Sequence, residues 1–153
     1  MGYRSDVFYA VGWPNPEHAK EVLAVYALDQ RVQDHEVYKD WEMYDEGGPL
    51  IMLYYYEWIK WYESYEDVQG LQRLEQLADQ FWQERKFPYA CKFVRIGDET
   101  DDIEERFWFA GDEAESVYDI FSDMAGVCRH ISDVEPPEKY GANKNKLGWN
   151  YVA

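Results

Sequence analysis

The stretch LIMLYYYEWIKWY, residues 50–62, is apolar at every position until Glu57 and Lys60. A run with no polar alternation has no wet face, so it reads as a central strand covered on both sides at its start. Gly47, Gly48 and Pro49 turn the chain just before it. The preceding HEVYKDWEMYDE reads as a half-exposed strand. Val37, Trp41 and Met43 share one of its faces with Lys39, and Tyr38, Asp40, Glu42 and Tyr44 take the other.

Four further elements place this hairpin. In YRSDVFYAVGW, residues 3–13, Val7, Tyr9 and Val11 alternate as a strand does. Asn15 offers an N-cap and Pro16 occupies the first helical position, where a missing N–H costs nothing. Ala19, Val22, Leu23 and Tyr26 then recur at helical spacing, which predicts a helix to about Asp29. Ser64 and Asp67 resemble a capping box. Behind them Val68, Leu71, Leu74, Leu77, Ala78, Phe81 and Trp82 form an apolar stripe that ends at Pro88. Gly70 weakens that helix slightly. YACKFVRI, residues 89–96, follows as a strand.

The resulting order is β-α-β-β-α-β, which predicts a ferredoxin-like α+β fold with both helices on one sheet face and the other face free to stay open. RFWFAG reads as a short strand. Residues 113–125 read as a helix through Val117, Phe121 and Met124, with 116–122 as a strand the alternative, and VCRHISDV, 127–134, reads as a last strand. A single domain is expected over 1–135, its last part an acidic extension, with a turn-rich tail carrying three lysines over 136–153.

Charge narrows the function. The net charge is -16 over 153 residues, yet 18% of them are aromatic, which excludes a disordered acidic tail. Such a chain repels nucleic acid and anionic membranes, so its favourable partners are cationic. The N-terminus lacks a signal-peptide h-region, the myristoylation pattern fails at Asp6, and no apolar run is long enough for a bilayer. A soluble, cytoplasmic protein is expected.

The charge is also clustered. RIGDETDDIEE, residues 95–105, holds Asp98, Glu99, Asp101, Asp102, Glu104 and Glu105. From Asp98 to Asp123 there are eleven acidic residues and one base, Arg106. Even scatter of the net charge would place roughly -3 in that span. Solubility does not require such clustering, although a merely solvated loop is the plain alternative. An array of carboxylates on a rigid body presents what a nucleic-acid-binding protein meets in a phosphate backbone. Asp98, Glu99, Asp101, Asp102, Glu104, Glu105, Asp112, Glu113, Glu115 and Asp119 are the candidate contacts, with Trp108 and Tyr118 adding area. Reversing Asp101, Asp102, Glu104 and Glu105 to Lys is expected to abolish binding and spare the fold.

Other chemistry has less support. The same carboxylates could serve Ca²⁺ or Mg²⁺, but DETDDIEERFWF lacks the Gly and the final Glu of an EF-hand loop. His18, His35 and His130 lie in no nucleophile motif, and no cofactor motif occurs. Cys128 and His130 share a strand face as a weak pair, and Cys91 and Cys128 read as small buried thiols. The aromatic segment 54–62 leaves a homodimer open.

MGYRSDV at the start, IKWYESYEDVQ at 59–69 and RIGDETDDIEE at 95–105 together resemble a family of small acidic proteins of tailed bacteriophages. The resemblance covers most of 1–105 in order and little of the C-terminal third. It brings no catalytic residues and implies phage origin with an accessory role in the infected cell. In charge alone the chain is also similar to acidic phage inhibitors of host defence. The expected function is therefore a non-enzymatic inhibitor of anti-CRISPR or anti-restriction type, which occupies the basic nucleic-acid-binding surface of a CRISPR effector or restriction enzyme.

Overall fold

The computed structural model describes residues 2–46, 48–99 and 101–124 together with the pair Asn143–Lys144. In chain order these form β1 (Ser5–Trp13), α1 (Pro16–Tyr26), α2 (Gln30–Asp34), β2 (Glu42–Glu46), β3 (Leu50–Ile59), α3 (Glu66–Arg85), β4 (Tyr89–Gly97), β5 (Ile103–Ala110), α4 (Glu115–Met124) and β6 (Asn143–Lys144). The strands make one sheet in the order β5-β4-β1-β3-β2-β6, and each neighbouring pair is antiparallel. The inner four, β4-β1-β3-β2, are two interleaved β-α-β units, the ferredoxin-like α+β arrangement expected from the element order.

Val7, Tyr9, Val11 and Trp13 of β1 face α1 and α3, whose Ala19, Val22, Leu23, Leu71, Leu74 and Leu77 complete the larger core cluster. Burial of one such leucine contributes about 1.5–3 kcal/mol. The first residues of β3, Leu50, Ile51 and Met52, are fully buried, so both of its faces are covered there. The cap of α1 is as expected: Asn15 Oδ1 accepts the Glu17 N–H at 2.9 Å.

The second face does not stay open. Val117, Phe121 and Met124 of α4 pack on Phe8, Ala10, Ile51, Leu53, Ala90 and Val94. The approach is close enough to need Gly12, where a Cβ would meet Val117 Cγ1 at 2.8 Å and Phe121 Cζ at 3.0 Å. The acidic part of the chain is therefore built into the sheet and its second layer, not appended to them.

Four local expectations change. α1 stops at Tyr26 because the Asp29 carboxylate takes the Arg31 and Val32 amides and starts α2 instead. Glu36 adopts a left-handed conformation (φ 49°) and Val37–Asp40 forms a 3₁₀ turn, so β2 begins only at Glu42, although Val37, Trp41 and Met43 remain buried together. α3 has Tyr65 at its N-cap with no side-chain cap bond, which replaces the Ser64–Asp67 box. The strand around RFWFAG extends back to Ile103 and so begins inside the acidic run. The expected strand at 127–134, with Cys128 and His130, lies outside the described residues, as does most of the tail. Among the described residues no helix is long and apolar enough to cross a membrane.

Candidate acidic interface

Strand alternation splits the acidic run. In β5 Glu104, Arg106 and Trp108 point to the α3 face, while Ile103, Glu105, Phe107 and Phe109 point to the α4 face. Asp98, Glu99 and Asp101 are exposed at the β4–β5 turn.

The α3-facing carboxylates are consumed internally. Asp102 receives two bonds from Arg95, at 2.7 and 3.1 Å, and one from the Tyr3 hydroxyl at 2.6 Å. These bonds, from Arg95 first and Tyr3 second, pull its pKa down to about 2. Arg95 Nε also donates to Glu104 Oε1 at 3.2 Å, and Arg106 Nη1 donates to Glu104 Oε2 at 3.1 Å. Arg106 Nη2 then reaches Glu75 Oε1 of α3 at 3.0 Å, an oxygen that also accepts the Tyr9 hydroxyl. The chain of pairs runs from the hairpin turn to the helix layer. Gly97 permits its first link, because a Cβ there would lie 2.2 Å from Asp102 Oδ2 and 2.3 Å from the Tyr3 hydroxyl. Asp102 and Glu104 thus hold the β4–β5 corner together, so their reversal to Lys is expected to cost stability as well as outward charge.

The other face keeps its charge outward. Val117, Phe121 and Met124 turn one side of α4 inward, which leaves Glu115, Asp119 and Asp123 exposed on the outer side at i, i+4 and i+8. That spacing puts the carboxylates about 6 Å apart along the helix axis. Asp112 and Glu113, both exposed, precede them in a 3₁₀ turn, Asp112–Ala114. No Lys or Arg occurs from Phe107 to Met124. Among the described residues Glu99, Asp101, Glu105, Asp112, Glu113, Glu115, Asp119 and Asp123 enter no ion pair. Beneath them the Lys92 side chain is buried, its ammonium 4.5 Å from the centre of the Phe107 ring, and burial lowers its pKa while Glu105 opposes that shift.

Trp108 and Tyr118 do not form one contact surface. Trp108 lies on the α3 face, where its indole N–H donates to the Tyr89 hydroxyl at 2.8 Å. Tyr118 stacks on Phe107 at 3.9 Å on the opposite face. Both are half-buried.

Sequence reasoning missed Glu75, although Leu71, Leu74, Glu75 and Ala78 share one helical face and a carboxylate inside an apolar stripe asks for a partner. Asp123 was visible in the charge count but not as the third member of the α4 row. Among the described residues no group of three or more His, Cys, Asp or Glu side chains could hold a metal ion. Cys91 is fully buried in β4, and burial pushes its thiol pKa well up, away from a reactive thiolate.

No protein-family model, no curated protein and no solved structure matches the chain.

Proposed function

We propose that this chain is a non-enzymatic binding protein whose α4 face presents carboxylates to a basic, nucleic-acid-binding surface of another protein. The observation that carries this reading is the row Glu115, Asp119 and Asp123 on one side of α4. Like charges at i and i+4 destabilise a helix by about 0.2–0.5 kcal/mol per pair. Asp123, in the last turn, also opposes the helix dipole, at a cost of about 0.3–1 kcal/mol. Glu115 near the helix start has a structural reason to be acidic, but Asp119 and Asp123 have none within the helix. A row that lowers stability and points outward fits selection for a partner.

The setting follows from the resemblance of 1–105 to phage proteins. We read the target as a bacterial defence complex, a CRISPR effector or a restriction enzyme, met in the cytoplasm of the infected host. Occupation of its nucleic-acid groove would exclude DNA or RNA by competition for the same cations.

The test is affinity capture from a bacterial lysate. The expected catch is a protein with a Lys- and Arg-rich groove, released by duplex DNA and by raised salt. A catch that neither DNA nor salt releases would contradict the reading. A homodimer is the second reading, favoured by Tyr56 and by Trp58, which is 64% exposed. A doubling of mass in light scattering would support it.

A further inference from the structure

We propose that the outer edge of β5 takes up an extended basic segment of the partner as an added strand. This deepens the proposed function and rests on it for the sign of the partner's charge.

β5 is the terminal strand of the sheet and runs for eight residues. The Gly97 N–H donates to the Asp102 carbonyl at 2.8 Å, which fixes the phase of the β4–β5 ladder. The pairs Arg95–Glu104, Phe93–Arg106, Cys91–Trp108 and Tyr89–Ala110 follow in two-residue steps and exchange the ladder bonds. The intervening residues, Ile103, Glu105, Phe107 and Phe109, therefore aim their N–H and C=O groups away from β4. Among the described residues no strand pairs with that row.

Edge strands are ordinarily blunted by proline, a bulge, short length or outward charge. β5 has no proline, and its register with β4 is unbroken. Its charges are Glu104, Glu105 and Arg106, of which Glu104 and Arg106 are held in the internal network. Glu105 is the one charged residue of the outward-bonding row. Ile103 and Phe109, in the same row, are 37% and 38% exposed. An added strand would gain main-chain bonds from the row and apolar contact at both its ends, with a cation suited to its middle. A second copy fits this edge poorly, because its matching row offers Glu105 and no cation.

The test uses an end-blocked peptide, Thr-Val-Thr-Lys-Thr-Val-Thr-Val-Thr, and amide hydrogen exchange read by NMR. The peptide should slow exchange at Ile103, Glu105, Phe107 and Phe109 and leave Glu104, Arg106 and Trp108 unchanged. Glu105→Pro removes an outward donor without touching the β4 ladder and should weaken binding about tenfold. Glu105→Gln keeps the donor and should weaken it only about threefold. Ile103→Pro repeats the proline test at a second outward position if the first variant unfolds. No slowing at the four amides, or equal binding by both proline variants and the unmodified chain, would overturn the proposal. The same protection without peptide, growing with protein concentration, would also overturn it in favour of self-pairing. Loss of partner capture on charge reversal along α4, with peptide protection at β5 retained, would support both readings. Capture indifferent to that reversal, with β5 protection intact, would sink the acidic-face reading alone. Capture lost on reversal but no β5 protection would sink strand addition alone.

Discussion

Arg95 grips Asp102 through two parallel bonds, Nη2 to Oδ1 at 2.7 Å and Nη1 to Oδ2 at 3.1 Å. That pairing divides the acidic segment into carboxylates that hold the β4–β5 corner and carboxylates that face outward. Replacement of Asp102 by Asn should cost about 1 kcal/mol at neutral pH, measured by urea unfolding. The folded-state pKa of about 2 lies below the ordinary 3.8, so the stabilisation is full above the unfolded value and fades as pH falls towards 2. The native chain and Asp102→Asn should therefore converge in stability at about pH 2. A constant gap between them from pH 7 to pH 2 would contradict the assignment.

Arg106 bridges Glu104 and Glu75, and the Glu75 side chain is only 17% exposed. Arg106→Ala leaves Glu75 with no cation and Glu104 with Arg95 alone, and should lower stability by about 2–3 kcal/mol. Tyr9→Phe removes one donor from Glu75 and should cost about 1 kcal/mol. The double variant should cost less than the sum of the two, because both act on the same carboxylate. Additive losses in denaturant titrations would show that the two contacts are independent.

α4 rests directly on Gly12 of β1. Gly12→Ala should force Val117 and Phe121 outward and lower stability by about 1–3 kcal/mol. Amides of α4 should then exchange faster than those of α3, with the sheet ladder intact. Uniform loss of protection would instead mean that α4 and the sheet unfold as one unit.

Trp58 holds a left-handed conformation (φ 58°) where the β1–β3 register shifts, and its N–H donates to Asp6 Oδ1 at 3.0 Å. Gly suits that conformation without a Cβ penalty. Trp58→Gly should leave the melting temperature unchanged or raise it. A drop equivalent to more than about 1 kcal/mol would mean that the exposed indole packs more than its solvent exposure indicates.

The framework of the fold was legible because its signals are local. Asn15 with Pro16, the stripe from Val68 to Ala78, and the two-faced start of β3 each carry their own reason within a few residues. The fate of the acidic run was not legible in that way. Asp102 and Glu104 are fixed by Arg95, and Arg106 is tied to Glu75 across the sheet–helix interface, so their roles depend on register and packing. Covering of the second sheet face by α4 was hidden for the same reason, since Gly12 and Val117 meet only in the folded chain. Glu36 and Asp29 misled at shorter range, where a left-handed residue and a competing cap redirected the backbone.

The most direct measurement compares partner capture and stability in Glu115→Lys/Asp119→Lys/Asp123→Lys. The substituted lysines repel one another as the acids did, but a cation at position 123 suits the helix C-terminus and the magnitude of the chain's net charge falls, so the melting temperature should hold. Capture of the basic partner should fall by at least about tenfold and lose its release by DNA. Retained capture in a folded triple variant would contradict a role for this face in binding.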